Sequence, residues 1–217
     1  MFRPDGPIVQ SAIKFAKVLY AHVLVLFCCI PIITAGAAFT ALEYTLLKIS
    51  REEDGNIASD FFHSFKENFK QATILWLVYV AVLAVVLFDI YFFMKINAGV
   101  NDIMMFVMGV ITILLLMNMT WGFVLLSRYN NSGIQTFRYA LRVSLAYFAY
   151  TLAMFALVVI PAFLAIENIE LAPYMIVVGV TLSGFVRPKL YGKVFDKIES
   201  SNQKDTSEET KLEEESI

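Results

Sequence analysis

The chain of 217 residues is 59% apolar and 17% charged, with a mean hydropathy of +0.68, against about 45–50% apolar and about 25% charged in soluble domains. A soluble domain of this length buries only about 70% of the surface its unfolded chain exposes, so apolar runs of this extent need lipid as their solvent. The formal net charge of −2 gives no electrostatic case for nucleic acid, and no RNA- or DNA-binding motif is present; the lipid bilayer is the partner that the composition demands.

Residues 1–17 read as an amphipathic cytoplasmic leader, because Arg3, Lys14 and Lys17 carry positive charge of the kind that stays inside. The apolar run behind them ends in Ala35, Gly36, Ala37 and Ala38, as a signal peptide would. Helical periodicity nevertheless continues through Ala41, Leu42, Leu46 and Leu47, so an uncleaved first span is expected. Residues 18–47 are expected to form a short hairpin with its helix break at Pro31 and Gly36. A re-entrant hairpin and a single kinked span are the alternatives, the last giving five spans in place of six. Adjacent Cys28 and Cys29 read as packing residues, since neighbours do not easily form an ordinary disulfide.

Over residues 59–71, Phe61, Phe62, Phe65 and Phe69 share one helical face, while His63, Lys66, Glu67 and Lys70 lie opposite. This predicts an amphipathic interfacial helix on the cytoplasmic leaflet, or equally one packed on the protein's own spans. Apolar runs follow at about 72–94, 103–126, 143–166 and 171–186, each long enough or nearly so to cross ~30 Å of hydrocarbon at ~1.5 Å per residue. Arg128, Arg138 and Arg142 place their loop in the cytoplasm, and Arg187, Lys189 and Lys193 do the same for the C-terminus. Glu167 and Glu170 mark an outer loop. Residues 197–217 are acidic and lack apolar periodicity, which predicts a disordered cytoplasmic tail. The expected fold is an all-α multi-pass membrane bundle, residues 18–196, of about six spans in three hairpins. The pattern Phe65-Lys66-x-x-Phe69-Lys70 returns as Phe137-Arg138-x-x-Leu141-Arg142; tandem hairpins and the positive-inside rule each account for it.

Polar groups inside apolar runs are costly and usually face a protein interior or a water-filled cavity. His22, Glu43, Asp89 and Asn118 qualify. With a turn between Pro31 and Gly36, His22 and Glu43 fall at similar depth, and a buried structural pair is the favoured reading over a proton relay or substrate site. Asp89 reads as an interfacial group or an ion-pair partner of Lys95. Asn118, with Thr120 and Trp121, reads as a hydrogen-bonding group between helices. Gly36, Ala37, Thr40 and Ala41 form small-xxx-small rows that let one helix approach another closely.

The chain resembles the YesL-like family of bacterial membrane proteins, also known as domain of unknown function 624. The carrying residues are Pro31-Ile32-Ile33-Thr34, Gly36, Ala41-Leu42 and the run Asp60-Phe61-Phe62-x-Ser64-Phe65-Lys66-x-Asn68-Phe69-Lys70-Gln71-Ala72, with weaker echoes in Arg128-Tyr129-Asn130-Asn131 and Phe195-Asp196. The resemblance implies a multi-pass protein of the bacterial cytoplasmic membrane whose genes often neighbour components of carbohydrate uptake and utilisation. His22 and Glu43 depart from the family pattern, where Asn and an aromatic residue are expected.

No phosphate-binding loop, His-Glu-x-x-His site or Gly-x-Ser-x-Gly elbow is present in the sequence, so neither enzymatic activity nor a cofactor is expected. The expected function is that of a non-enzymatic accessory or regulatory protein associated with carbohydrate uptake, contacting sugar permease subunits or its own copies. A small-solute transporter or channel subunit is the alternative.

Overall fold

The computed structural model describes residues 6–53, 55–95, 101–129, 132–170 and 172–215, without side chains at 7, 101, 176, 202 and 204–215. Arg3, Asn130, Asn131 and Leu171, named above, lie outside the described residues. The described chain is helical throughout: α1 (Pro7–Cys28), a 3-10 turn (Ile32–Thr34), α2 (Ala35–Arg51), α3 (Ile57–Lys95), α4 (Asn101–Leu126), α5 (Gly133–Ala146), α6 (Phe148–Glu167) and α7 (Ala172–Glu215). Among the described residues, five helices are long and apolar enough to cross a bilayer: Ile8–Cys28, Ile32–Arg51, Ile57–Lys95, Asp102–Leu126 and Phe148–Glu167. The sixth apolar run is the first part of α7, which packs along α6.

The chain turns back after α1. Pro31 sits in extended backbone, and the Thr34 hydroxyl donates to the Cys28 carbonyl, which the end of α1 leaves without a helical donor. Val18, Ala21 and Val25 of α1 then pack against Ala38, Ala41, Leu42 and Leu46 of α2 in antiparallel order, and Lys14 meets Glu52 at 2.6 Å across the open end. A hairpin forms, and residues 7–17 of the leader are the first half of α1. Gly36, expected to help break the helix, lies inside α2. A Cβ there would collide with the Ala72 carbonyl oxygen and come within 2.6 Å of the Trp76 Cβ, so the glycine serves close approach of α2 to α3. In α2, 67% of the most apolar window is buried, against 17% in each of the other four candidate spans. This small-residue helix is the centre of the bundle, and α1, α3, α4 and α7 pack around it.

Three further expectations need correction. The segment 59–71 is the start of α3, one continuous helix of 39 residues, or ~58 Å. No Gly or Pro interrupts it, so an established helix needs no new nucleus to continue. Phe61 is fully buried against the α1–α2 hairpin, which favours packing on the protein over a separate helix on lipid. The expected span 143–166 is divided at Tyr147, a non-helical residue between α5 and α6. The Thr151 hydroxyl reaches back across this break, donating towards Ser144 O at 3.0 Å and towards Tyr147 O, which also accepts the Thr151 backbone N–H, at 3.1 Å. The short amphipathic helix is therefore α5, opened by a capping box in which Ser132 and Gln135 satisfy each other's backbone groups. Residues 197–215, expected to be disordered, continue α7 as helix, propagating from the packed Tyr191, Val194, Phe195 and Ile198.

Candidate functional site

Glu43 lies midway along α2 and is buried among the small and apolar residues of that helix. Its Oε1 accepts from the Arg187 guanidinium at 2.7 Å, with side-chain exposures of 6% and 15% for the two residues. The Tyr191 hydroxyl, one helical turn beyond Arg187, donates to the Glu43 backbone carbonyl at 3.0 Å. One turn of α7 thus fastens to the middle of α2 by a charge pair and a neutral hydrogen bond. Glu43 Oε2 and Arg187 Nε are buried and have no hydrogen-bond partner.

The expected partner of Glu43 was His22. Instead, His22 Nδ1 lies 2.8 Å from the Val18 carbonyl oxygen of its own helix, and its ring packs against α7 near Gly184. The two residues share a level in the hairpin, as their spacing from the turn requires, and both lie against α7, where Glu43 meets Arg187 and His22 packs beside Gly184. By sequence alone Arg187 reads as a topology-setting charge after the last span. The available signal was its place at the end of an apolar run, within reach of a buried acid if the long side chain turned inward.

Glu43 and Arg187 line a cavity of about 290 Å³ together with Phe39 of α2, Leu116, Met119, Thr120 and Phe123 of α4, and Phe155, Val158 and Val159 of α6. Apart from the ion pair and Thr120 its walls are apolar. The other in-span polar groups are elsewhere. Asn118 is buried at a three-helix junction: the Tyr79 hydroxyl donates to its Oδ1 at 2.5 Å, and its Nδ2 donates to the Phe137 carbonyl at 3.1 Å, joining α3, α4 and α5. Trp121 is fully buried and donates to the Thr151 hydroxyl at 2.8 Å. Asp89 is half-buried near the end of α3. It does not pair with Lys95, whose ammonium lies over the Tyr91 ring, 5.8 Å from its centroid.

The Phe-rich part of α3 divides by face. Phe61, Ser64 and Asn68 are buried and Phe65 is half-buried, while Phe62, Lys66, Phe69 and Lys70 are exposed. On α5, Ile134, Arg138, Leu141, Arg142 and Leu145 are exposed, and Gly133 rests against the α3 backbone at Gln71 and Leu75. The repeated sequence pattern therefore presents its basic positions and its second apolar position outward from both helices at the same end of the bundle, while its first apolar position, Phe65 or Phe137, packs against the core.

Among the described residues there is no cluster of His, Cys, Asp and Glu able to hold a metal ion. Helices of this length and apolarity, packed around an internal ion pair and hydrogen-bonded junctions, define a multi-pass α-helical membrane protein. Residues 16–90 match the family model described as "Protein of unknown function, DUF624", to which this stretch of the chain is similar. The match takes in the α1–α2 hairpin and most of α3, so Glu43 falls within it and Arg187 outside. No curated protein and no solved structure matches the chain.

Proposed function

We propose that the protein is a non-enzymatic accessory or regulatory component of a carbohydrate-uptake assembly in the bacterial cytoplasmic membrane. It acts by docking onto permease subunits through the basic and apolar face of α3 and α5. The observation that carries this reading is the exposed set Phe62, Lys66, Phe69 and Lys70, backed by buried Phe61, Ser64 and Asn68. The buried residues fix the helix, so the exposed aromatic and cationic groups are held ready to meet a partner at little ordering cost. The positive-inside rule puts this face, and both termini, in the cytoplasm. The carbohydrate setting comes from the family resemblance of the sequence.

The interior favours docking over conduction. A solute or ion path needs polar lining along its length, whereas Asn118, Trp121 and Glu43 are each engaged with neighbours, and the cavity beside Glu43 is walled mainly by apolar side chains. In the test, the fourfold variant Phe62→Ser, Lys66→Glu, Phe69→Ser, Lys70→Glu is expressed in cells with tagged permease subunits. Co-purification with those subunits should be lost while the variant remains monodisperse and retains its melting temperature. Solute flux into liposomes containing this protein alone, or undiminished co-purification of the variant, overturns the reading.

A further inference from the structure

A second cavity, of about 240 Å³, lies between α1, α2 and α7 and is separate from the Glu43 site. Ile49 and Phe185 give it an apolar part, and Ser11, Ser50, Lys14 and Lys189 a polar one. Its position follows from the helices. Ser11 and Lys14 are near the start of α1, Ser50 is next to the last residue of α2, and Lys189 follows the apolar run of α7. That is the level at which hydrocarbon gives way to headgroups. Gly184 makes the enclosure possible: a Cβ there would come within 2.5 Å of Val18 Cγ1 and 3.2 Å of His22 Cε1, so α7 can close on α1 only where no side chain intervenes.

The two cations are not equally engaged. Lys14 pairs with Glu52 at 2.6 Å, with side-chain exposures of 37% and 72%, and an ion pair that open is readily exchanged. Lys189 and the Ser50 hydroxyl make no hydrogen bond or ion pair with any described residue. Two ammonium groups and a free hydroxyl donor therefore converge on one small enclosure, next to an α1 surface whose Phe15, Val23 and Leu26 are exposed. We propose that this cavity binds the phosphodiester of an anionic phospholipid, held between Lys14 and Lys189, with Ser50 donating to a phosphate oxygen and the acyl chains lying along α1. A zwitterionic lipid fits less well, because its own cation would sit among the lysines.

The test uses the full chain in detergent micelles, with bound lipid counted by native mass spectrometry. Phosphatidylglycerol should bind about tenfold more tightly than phosphatidylcholine, and Lys14→Ala and Lys189→Ala should each weaken it about fivefold. The control Lys66→Ala/Lys70→Ala, which removes exposed cations outside the cavity, should leave the affinity unchanged. Equal affinity for the two lipids overturns the proposal without any variant having to fold. So does an equal loss in the control. Displacement of phosphatidylglycerol by millimolar inorganic phosphate would assign the cavity to free phosphate and overturn the lipid assignment.

Discussion

Replacing Arg187 with Met leaves the Glu43 carboxylate inside the bundle without its counter-charge. Charges about 4 Å apart attract by about 4 kcal/mol at an effective dielectric of about 20, and removing one member of a buried pair costs about 3–5 kcal/mol. The pair here is a close contact at 2.7 Å with one carboxylate oxygen and one guanidinium nitrogen left unpartnered, which points to the lower part of that range. The double variant Glu43→Leu/Arg187→Met removes both charges and their desolvation cost, so its stability should return to within about 1 kcal/mol of the parent. Reversible unfolding in mixed micelles of mild detergent and dodecyl sulfate, followed by circular dichroism, measures all four corners of the cycle. The reasoning fails if Arg187→Met alone costs less than about 1 kcal/mol, or if the double variant is destabilised by the sum of the singles.

Glu43→Gln with His22 and Arg187 intact should lower stability in the same assay by about 1–3 kcal/mol, since the amide keeps an acceptor but loses the charge. Gly36→Val must push α3 away at Ala72 and Trp76, at a cost of about 1–3 kcal/mol or more; an unchanged melting temperature would show that the helices are not in close contact there. Tyr79→Phe deletes the donor to Asn118 Oδ1 while the bond from Asn118 Nδ2 to Phe137 persists, and should cost about 1 kcal/mol. Tyr191→Phe should cost a similar amount by removing the α7 donor to the Glu43 backbone carbonyl, read as a lower denaturation midpoint without aggregation.

The large features of the fold were legible because hydropathy and loop charge act locally. The α1–α2 turn at Pro31, the run of α4 and the apolar start of α7 follow from where polar backbone is tolerated in lipid. What escaped was decided by packing between distant segments. Phe61 looks like a lipid anchor in isolation, and only the arrival of α1 and α2 over it makes it a core residue. The break at Tyr147 carries no Gly or Pro; it is compensated by Thr151, itself held by Trp121 on another helix. Glu43 was identifiable as a buried acid from its surroundings, but its partner was not, because Arg187 lies 144 residues away by number, and His22 at the same depth engages the Val18 carbonyl of its own helix instead.

The Glu43–Arg187 contact also bears on the order in which the protein can be made. The second helix to leave the ribosome is the least apolar of the five candidate spans and carries an acid at its midpoint, while the cation that neutralises that acid is on the last helix. Until α7 is inserted, α2 has to be sheltered from lipid by its hairpin partner or by the insertion machinery. Completion of the core therefore waits for the end of translation, and a chain truncated before α7 presents an unfinished helix that membrane quality control can recognise.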